Sequence, residues 1–105
     1  MLRDTIRSEI RARLEAIFAG RLREVILFGS EARNEAQADS DIDILVVLEE
    51  PICFGHDLDQ ITRALYPLQL EIPDRPLQAI PASEQHYRSG EYALYRQARS
   101  EGIPL

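Results

Sequence analysis

Several residue types are scarce or missing in this sequence of 105 residues. It has no tryptophan and no lysine, and cysteine and methionine occur once each. The single cysteine, Cys53, excludes a disulfide within the chain and fits a reducing compartment such as the cytoplasm. Because neither His56 nor His86 has a recognisable catalytic context, we interpret Cys53 as structural rather than as a nucleophile.

Long hydrophobic runs are also missing. No stretch approaches the ~20 apolar residues of a membrane span, and the charged segment 1–10 lacks the apolar core of a signal peptide. We therefore expect a soluble cytoplasmic protein without a membrane partner. The net charge of −6 makes direct binding to nucleic acid unfavourable, although the arginines could still form a local basic patch.

The length predicts one domain over residues 1–105 with a modest core. Hydrophobic periodicity predicts a first helix whose inner positions are Ile6, Ile10, Leu14, Ile17 and Phe18. Strands are predicted over 24–29, 42–48 and 77–80, and helices over 31–36, 57–66 and about 90–100, with a short helix after Ser83. This alternating order indicates an α/β domain with one small sheet.

Prolines make one part of this pattern ambiguous. Segments 68–72 and 77–80 both look strand-like, and Pro73 and Pro76 lie between them; we favour 77–80 as the strand. Pro67 is expected to limit the preceding helix. Segment 42–48 is apolar on both faces, which is typical of an inner strand.

Two aspartates at the start of that inner strand are the main chemical signal. Asp41 and Asp43 are two residues apart, so on a strand they point the same way with Cα atoms about 6.5 Å apart. Two such carboxylates repel each other unless a cation lies between them, and Mg²⁺ prefers oxygen ligands of this kind. The alternative is that both are solvated turn residues.

A Gly-Ser pair precedes the aspartates by about ten residues. Gly29 at a strand end lets the backbone approach a ligand closely, and Ser30 adds a hydroxyl at the start of the predicted helix 31–36, where anions bind. Arg33 could reach a phosphate. A P-loop is excluded because no Gly-Lys-Ser/Thr follows, and Ile44 stands where an EF-hand loop needs glycine.

The motif pair of Gly29-Ser30 and SDIDILVV (40–47) resembles the signature of DNA polymerase β-like nucleotidyltransferases. The signature covers about 25–48, and the chain end SGEYALYRQARSEGIPL resembles the closing helix of the minimal nucleotidyltransferase (MNT) branch. The resemblance implies a minimal polymerase β-like palm fold, a small mixed sheet flanked by helices. It further implies that Gly29 and Ser30 hold a triphosphate, with Arg33 and Ser40 beside them, and that Asp41 and Asp43 bind Mg²⁺ and serve catalysis.

Partners and substrates are also implied by this resemblance. MNT proteins are commonly encoded beside a small helical HEPN toxin, and in some pairs they transfer AMP from ATP to a tyrosine of that toxin. The expected substrate is therefore ATP with Mg²⁺, and the expected partner is a HEPN protein. The short chain has no room for an acceptor domain, which also favours an acceptor on a partner.

The sequence departs from the family pattern at a third acidic position. Our alignment places Gln78 there, and an amide can ligate a metal but cannot act as a general base. Glu71 or Asp74 could substitute if the register differs. Asn34 replaces a family glycine, a mild change if φ is positive there. Both an active enzyme and a catalytically degenerate antitoxin that acts by binding alone stay open.

Overall fold

The computed structural model describes residues 2–105, which form a four-stranded mixed sheet flanked by helices. This is the predicted fold class. The elements are α1 (Asp4–Phe18), a 3₁₀ turn (Ala19–Arg21), β1 (Leu22–Phe28), β2 (Ile42–Leu48), α2 (Phe54–Glu71), β3 (Leu77–Ser83), α3 (Glu84–Ser89), α4 (Ala93–Glu101) and β4 (Ile103–Pro104).

The strand order in the sheet is β3-β2-β1-β4. β1 is antiparallel to β2 and to β4, whereas β2 and β3 run parallel. As predicted from its apolar sequence, β2 is an inner strand, and its residues from Ile44 to Leu48 are inaccessible to solvent. The two-residue strand β4, which the sequence did not predict, pairs with β1 near its carboxyl end.

Each face of the sheet has its own hydrophobic cluster. Alternate residues of β1 and β2 pack on α1 and α2, while the intervening residues pack with α3 and α4. The first cluster includes Ile6, Ile10, Leu14, Phe18, Leu27, Ile44, Ile61 and Leu68, and the second includes Ile26, Phe28, Leu45, Val47, Tyr87 and Ala98. Since side chains alternate along a strand, Asp43 lies on the same face as Leu45, toward α4.

Several predicted boundaries were wrong. Helix α2 runs to Glu71 through Pro67, so that residues 68–72 are mostly helical rather than a strand. Its apolar positions Ile61, Leu65 and Leu68 keep helical spacing past the proline, and their burial outweighs the lost backbone hydrogen bond. Ile17, predicted to face the core, is 37% exposed.

The predicted helix 31–36 is also wrong, because residues 29–34 form turns. Asn34 has φ 61°, a left-handed conformation that cannot continue a right-handed helix. The Glu35 N–H donates to Ser30 O at 2.8 Å and closes the turn. The positive φ agrees with our expectation that asparagine is a mild replacement for glycine here.

Candidate active site

The candidate site lies where the carboxyl end of β1 meets the amino ends of β2 and β3. Phe28, the last residue of β1, is paired with Asp43, and Asp43 is paired with Gln78 on its other side. This register places Gln78, the residue that our alignment assigns to the third acidic position, directly beside the second aspartate. Glu71 ends α2 and Asp74 lies in the following turn, so neither occupies that strand position.

The paired aspartates differ in their surroundings. Asp41 is exposed, and its Oδ2 accepts a hydrogen bond from Gln78 Nε2 at 3.0 Å. Asp43 is half-buried. Burial, and then the negative charge of Asp41, raise the pKa of Asp43 above its ordinary value, although Arg33 opposes this. The site therefore carries negative charge that a cation would stabilise.

Gly29 lies against this carboxylate. Its φ is 77°, and a Cβ atom there would overlap Asp43 Oδ2. Any other residue would have a strained backbone here and would displace the Asp43 carboxylate. The absent side chain leaves the turn backbone next to the Asp43 carboxylate.

Arg33 is held between two carboxylates. Its Nη1 donates to Glu101 Oε2 at 2.9 Å, and its Nε lies 3.5 Å from Glu35 Oε2. The hydrogen bond from Arg33 holds the pKa of Glu101 low in spite of desolvation. The Gln97 amide and the Gly29 N–H lower this pKa further, with weaker effects. Arg33 lies in the same turn as Gly29-Ser30, and a phosphate would have to compete with Glu101 for it.

Ser40 has a local structural contact. Its Oγ accepts a hydrogen bond from the Gln37 N–H at 2.7 Å, which closes the turn before Asp41. The Ser40 carbonyl accepts from Arg75 Nε at 2.9 Å. The Ser40 hydroxyl, which we predicted to contact a nucleotide, therefore already stabilises this loop through its hydrogen bond with Gln37.

The donor set fits Mg²⁺ in part. Asp41 and Asp43 offer carboxylate oxygens, and the Gln78 amide oxygen is a further neutral donor, all hard ligands of the type Mg²⁺ binds. Within residues 2–105, however, no group of three or more aspartate, glutamate, histidine or cysteine side chains is placed to hold a metal. The residue in register with Asp43 on β3 is thus the neutral Gln78.

Sequence reasoning missed three charged residues around the site. Glu31, in the turn after Gly-Ser, is buried, and Arg75 forms an ion pair with it. Glu101 reaches the turn from the end of α4. These contacts span 44 and 68 residues of sequence, and no short-range pattern signals them.

The fold and the site together define a nucleotidyltransferase-like α/β protein. The family model of the nucleotidyltransferase domain matches residues 7–89, and the chain belongs to this family. It is 32% identical over 93 residues to a Methanocaldococcus jannaschii protein named "Putative protein adenylyltransferase MJ0604", covering 88% of this chain and 86% of that one.

Solved structures show the same fold. One described as "Structure of putative minimal nucleotidyltransferase" has a TM-score of 0.59 and 30% identity, covering 97% of this chain and 94% of its own. Another, "Crystal structure of the toxin-antitoxin with AMP-PNP", has a TM-score of 0.67 and 21% identity, covering 92% of this chain and 69% of that one.

Proposed function

We propose that this protein is an MNT-type antitoxin that binds ATP with Mg²⁺ and transfers AMP to a tyrosine of a HEPN toxin. One observation carries the proposal: Gly29 packs so tightly on Asp43 that a Cβ atom would overlap the carboxylate. In this proposal the Gly29-Ser30 turn would hold the phosphates, and Asp43, together with Asp41, would ligate the metal next to it. The relative named as a protein adenylyltransferase supports a protein acceptor.

In the proposed reaction, the phenolic oxygen of the acceptor tyrosine attacks the α-phosphorus of ATP. The bond from that phosphorus to the oxygen bridging the β-phosphate breaks, pyrophosphate leaves, and the phenolic proton passes to solvent water. The Gly29-Ser30 turn would hold the phosphate chain, with Arg33 beside it and Asp41 and Asp43 turned toward the metal. Bound Mg²⁺ would supply charge stabilisation at the phosphate oxygens.

A second candidate is a binding-only antitoxin, and Gln78 favours it. Gln78 stands in register with Asp43 and donates its amide hydrogen to Asp41. It cannot accept the phenolic proton, as a carboxylate at this position could. Under this alternative the protein silences its toxin by contact and leaves it unmodified.

Mass spectrometry of the toxin, co-expressed with this protein, separates the two candidates. Transfer predicts a tyrosine that carries AMP with the wild-type protein and an unmodified tyrosine with the D41N/D43N variant. The matched control is D39N/D59N, which removes two exposed aspartates of the same charge. If the wild-type protein silences the toxin but the toxin carries no AMP, the transfer hypothesis is rejected. The binding-only antitoxin is then the remaining candidate.

A further inference from the structure

Glu31 is a buried carboxylate that the proposed reaction does not use. Its side chain is 1% exposed, although it lies in a surface turn directly after Gly29-Ser30. Its Oε1 lies 2.7 Å from Arg75 Nη2 as an ion pair, and its Oε2 accepts the Leu2 N–H at 2.8 Å. A buried carboxylate without such partners would be strongly destabilising, so the turn depends on them.

The balance of these interactions favours the charged carboxylate. Burial alone would raise the pKa of Glu31, but the Leu2 N–H and Arg75 together hold it below its ordinary value. Arg7 Nη2 adds a second positive charge 3.6 Å from Oε2. Glu31 is thus ionised at neutral pH and attached to groups outside its own turn.

Arg75 connects this turn to the loop before the aspartates. While its Nη2 pairs with Glu31, its Nε donates to the Ser40 carbonyl at 2.9 Å, and Ser40 directly precedes Asp41. The side chain of Arg75 is only 12% exposed. One guanidinium therefore joins the Gly-Ser turn to the segment that carries the first candidate metal ligand.

The backbone of Arg75 is itself fixed. Gln69 at the end of α2 donates to Arg75 O at 3.0 Å and accepts the Leu77 N–H. The next residue, Pro76, accepts the Ile42 N–H at 2.9 Å at the start of β2. The guanidinium thus extends from a fixed backbone position. Its contacts with Glu31 and Ser40 therefore restrict the movement of the two loops that carry these residues.

We propose that Arg75 and Glu31 are positioning residues of the nucleotide site: their ion pair, with the Arg75–Ser40 hydrogen bond, fixes the Gly-Ser turn relative to Asp41. The effect on nucleotide rests on the proposed function, whereas the effect on the loops does not. We name this set of contacts the Glu31–Arg75 clasp. Its loss lets the turn and the aspartate loop move independently, so the phosphate and metal contacts no longer coincide.

The molecule offers a matched control at the opposite end of the sheet. Arg21 pairs with the buried Asp57, with Nη1 3.1 Å from Oδ1, and donates to Pro51 O at 2.9 Å. This is the same chemistry, an arginine joining a buried carboxylate to a backbone carbonyl. It lies beside the start of β1 and the end of β2, away from the candidate site.

The test compares R75K and R21K, each of which keeps a positive charge but cannot make both arginine contacts. Amide hydrogen exchange is measured without ligand, and the affinity for Mg²⁺ with AMP-PNP is measured by calorimetry. In R75K we expect exchange in segment 30–42 to quicken and the affinity to fall, each on the order of tenfold. In R21K faster exchange is expected only near 49–57, with unchanged affinity.

The variant E31Q tests the same clasp from the other side and guards against misfolding of R75K. Its amide oxygen still accepts the Leu2 N–H, but the ion pair is lost. The clasp is rejected if R75K and E31Q exchange like the wild type in segment 30–42, or if R21K loosens that segment equally. If the wild type itself does not bind the nucleotide, the proposed function fails, while the exchange result still decides the clasp.

Discussion

Individual side chains decide what this site can do. Gly29 has no Cβ, so the turn backbone lies against the carboxylate of Asp43. Sequence motifs alone do not predict this contact between Gly29 and Asp43. Gln78 is the opposite case, since alignment assigned it to the third acidic position and the register of β3 then places it beside Asp43. What the sequence could not show is that the Gln78 amide bonds to Asp41.

Replacing Gln78 by aspartate should make the site more dependent on metal. The variant Q78D loses the hydrogen bond to Asp41 and adds a third negative charge, so we expect a lower Tm than wild type in EDTA. Mg²⁺ should then raise its Tm more than it raises that of the wild type. The measurement is thermal unfolding with EDTA and with Mg²⁺.

The neutral variant Q78N has the same side-chain length as Q78D and serves as its control. We expect Q78N to gain no more from Mg²⁺ than the wild type does. An equal Mg²⁺-dependent gain in both variants would show that position 78 does not face the metal.

The strands were predicted better than the segments that contain proline or join the strands. Segment 42–48 was predicted with correct bounds because it is a short run that is apolar on both faces, as is typical of an inner strand. Pro67 misled the prediction of α2, since local rules place a helix end there while the buried stripe through Leu68 continues. Strand β4 has two residues and a proline, so only its pairing with β1 identifies it.

Pro67 itself should be costly to α2. It is exposed and lacks the N–H that would bond to the carbonyl four residues earlier. We expect P67A to raise the free energy of unfolding by roughly 1–3 kcal/mol, with unchanged nucleotide affinity. Chemical denaturation measures the first quantity; a destabilised P67A would mean that the helix has adapted to the proline.

At each end of the sheet an arginine–carboxylate pair joins segments that are far apart in the sequence. Glu31 pairs with Arg75 at the candidate site, and Asp57 pairs with Arg21 at the far end. Composition predicts an acidic chain but not these pairs, because they form only once the sheet has brought distant loops together.

In residues 2–105 no helix is both long and apolar enough to cross a membrane.

Acid should unfold the protein partly through these pairs. The Arg21 hydrogen bonds hold the pKa of Asp57 below its ordinary value, in spite of burial. As pH falls, Asp57 therefore takes up a proton in the unfolded chain before it does so in the folded protein. The stability that this difference contributes is present above about pH 4 and is lost as pH falls through the pKa of Asp57 in the folded state. We expect D57N to lose less stability than wild type between about pH 5 and pH 3.

Denaturation at several pH values measures this slope. The control is D59N, an exposed aspartate on the same helix, which should keep the wild-type slope. A D57N slope as steep as that of the wild type would show that Asp57 does not contribute to acid unfolding.

Binding of Mg²⁺ with ATP at Asp41 and Asp43 is the central claim, and thermal unfolding of the wild type and the D41N/D43N variant tests it most directly. Without ligand the variant should be at least as stable, because it lacks the partly buried charge and the repulsion from Asp41 that raise the pKa of Asp43. At about 100 times the dissociation constant, Mg²⁺ with ATP should stabilise the wild type by about 2.7 kcal/mol and leave the variant unchanged. An equal shift in both proteins, or none in the wild type, would contradict the account.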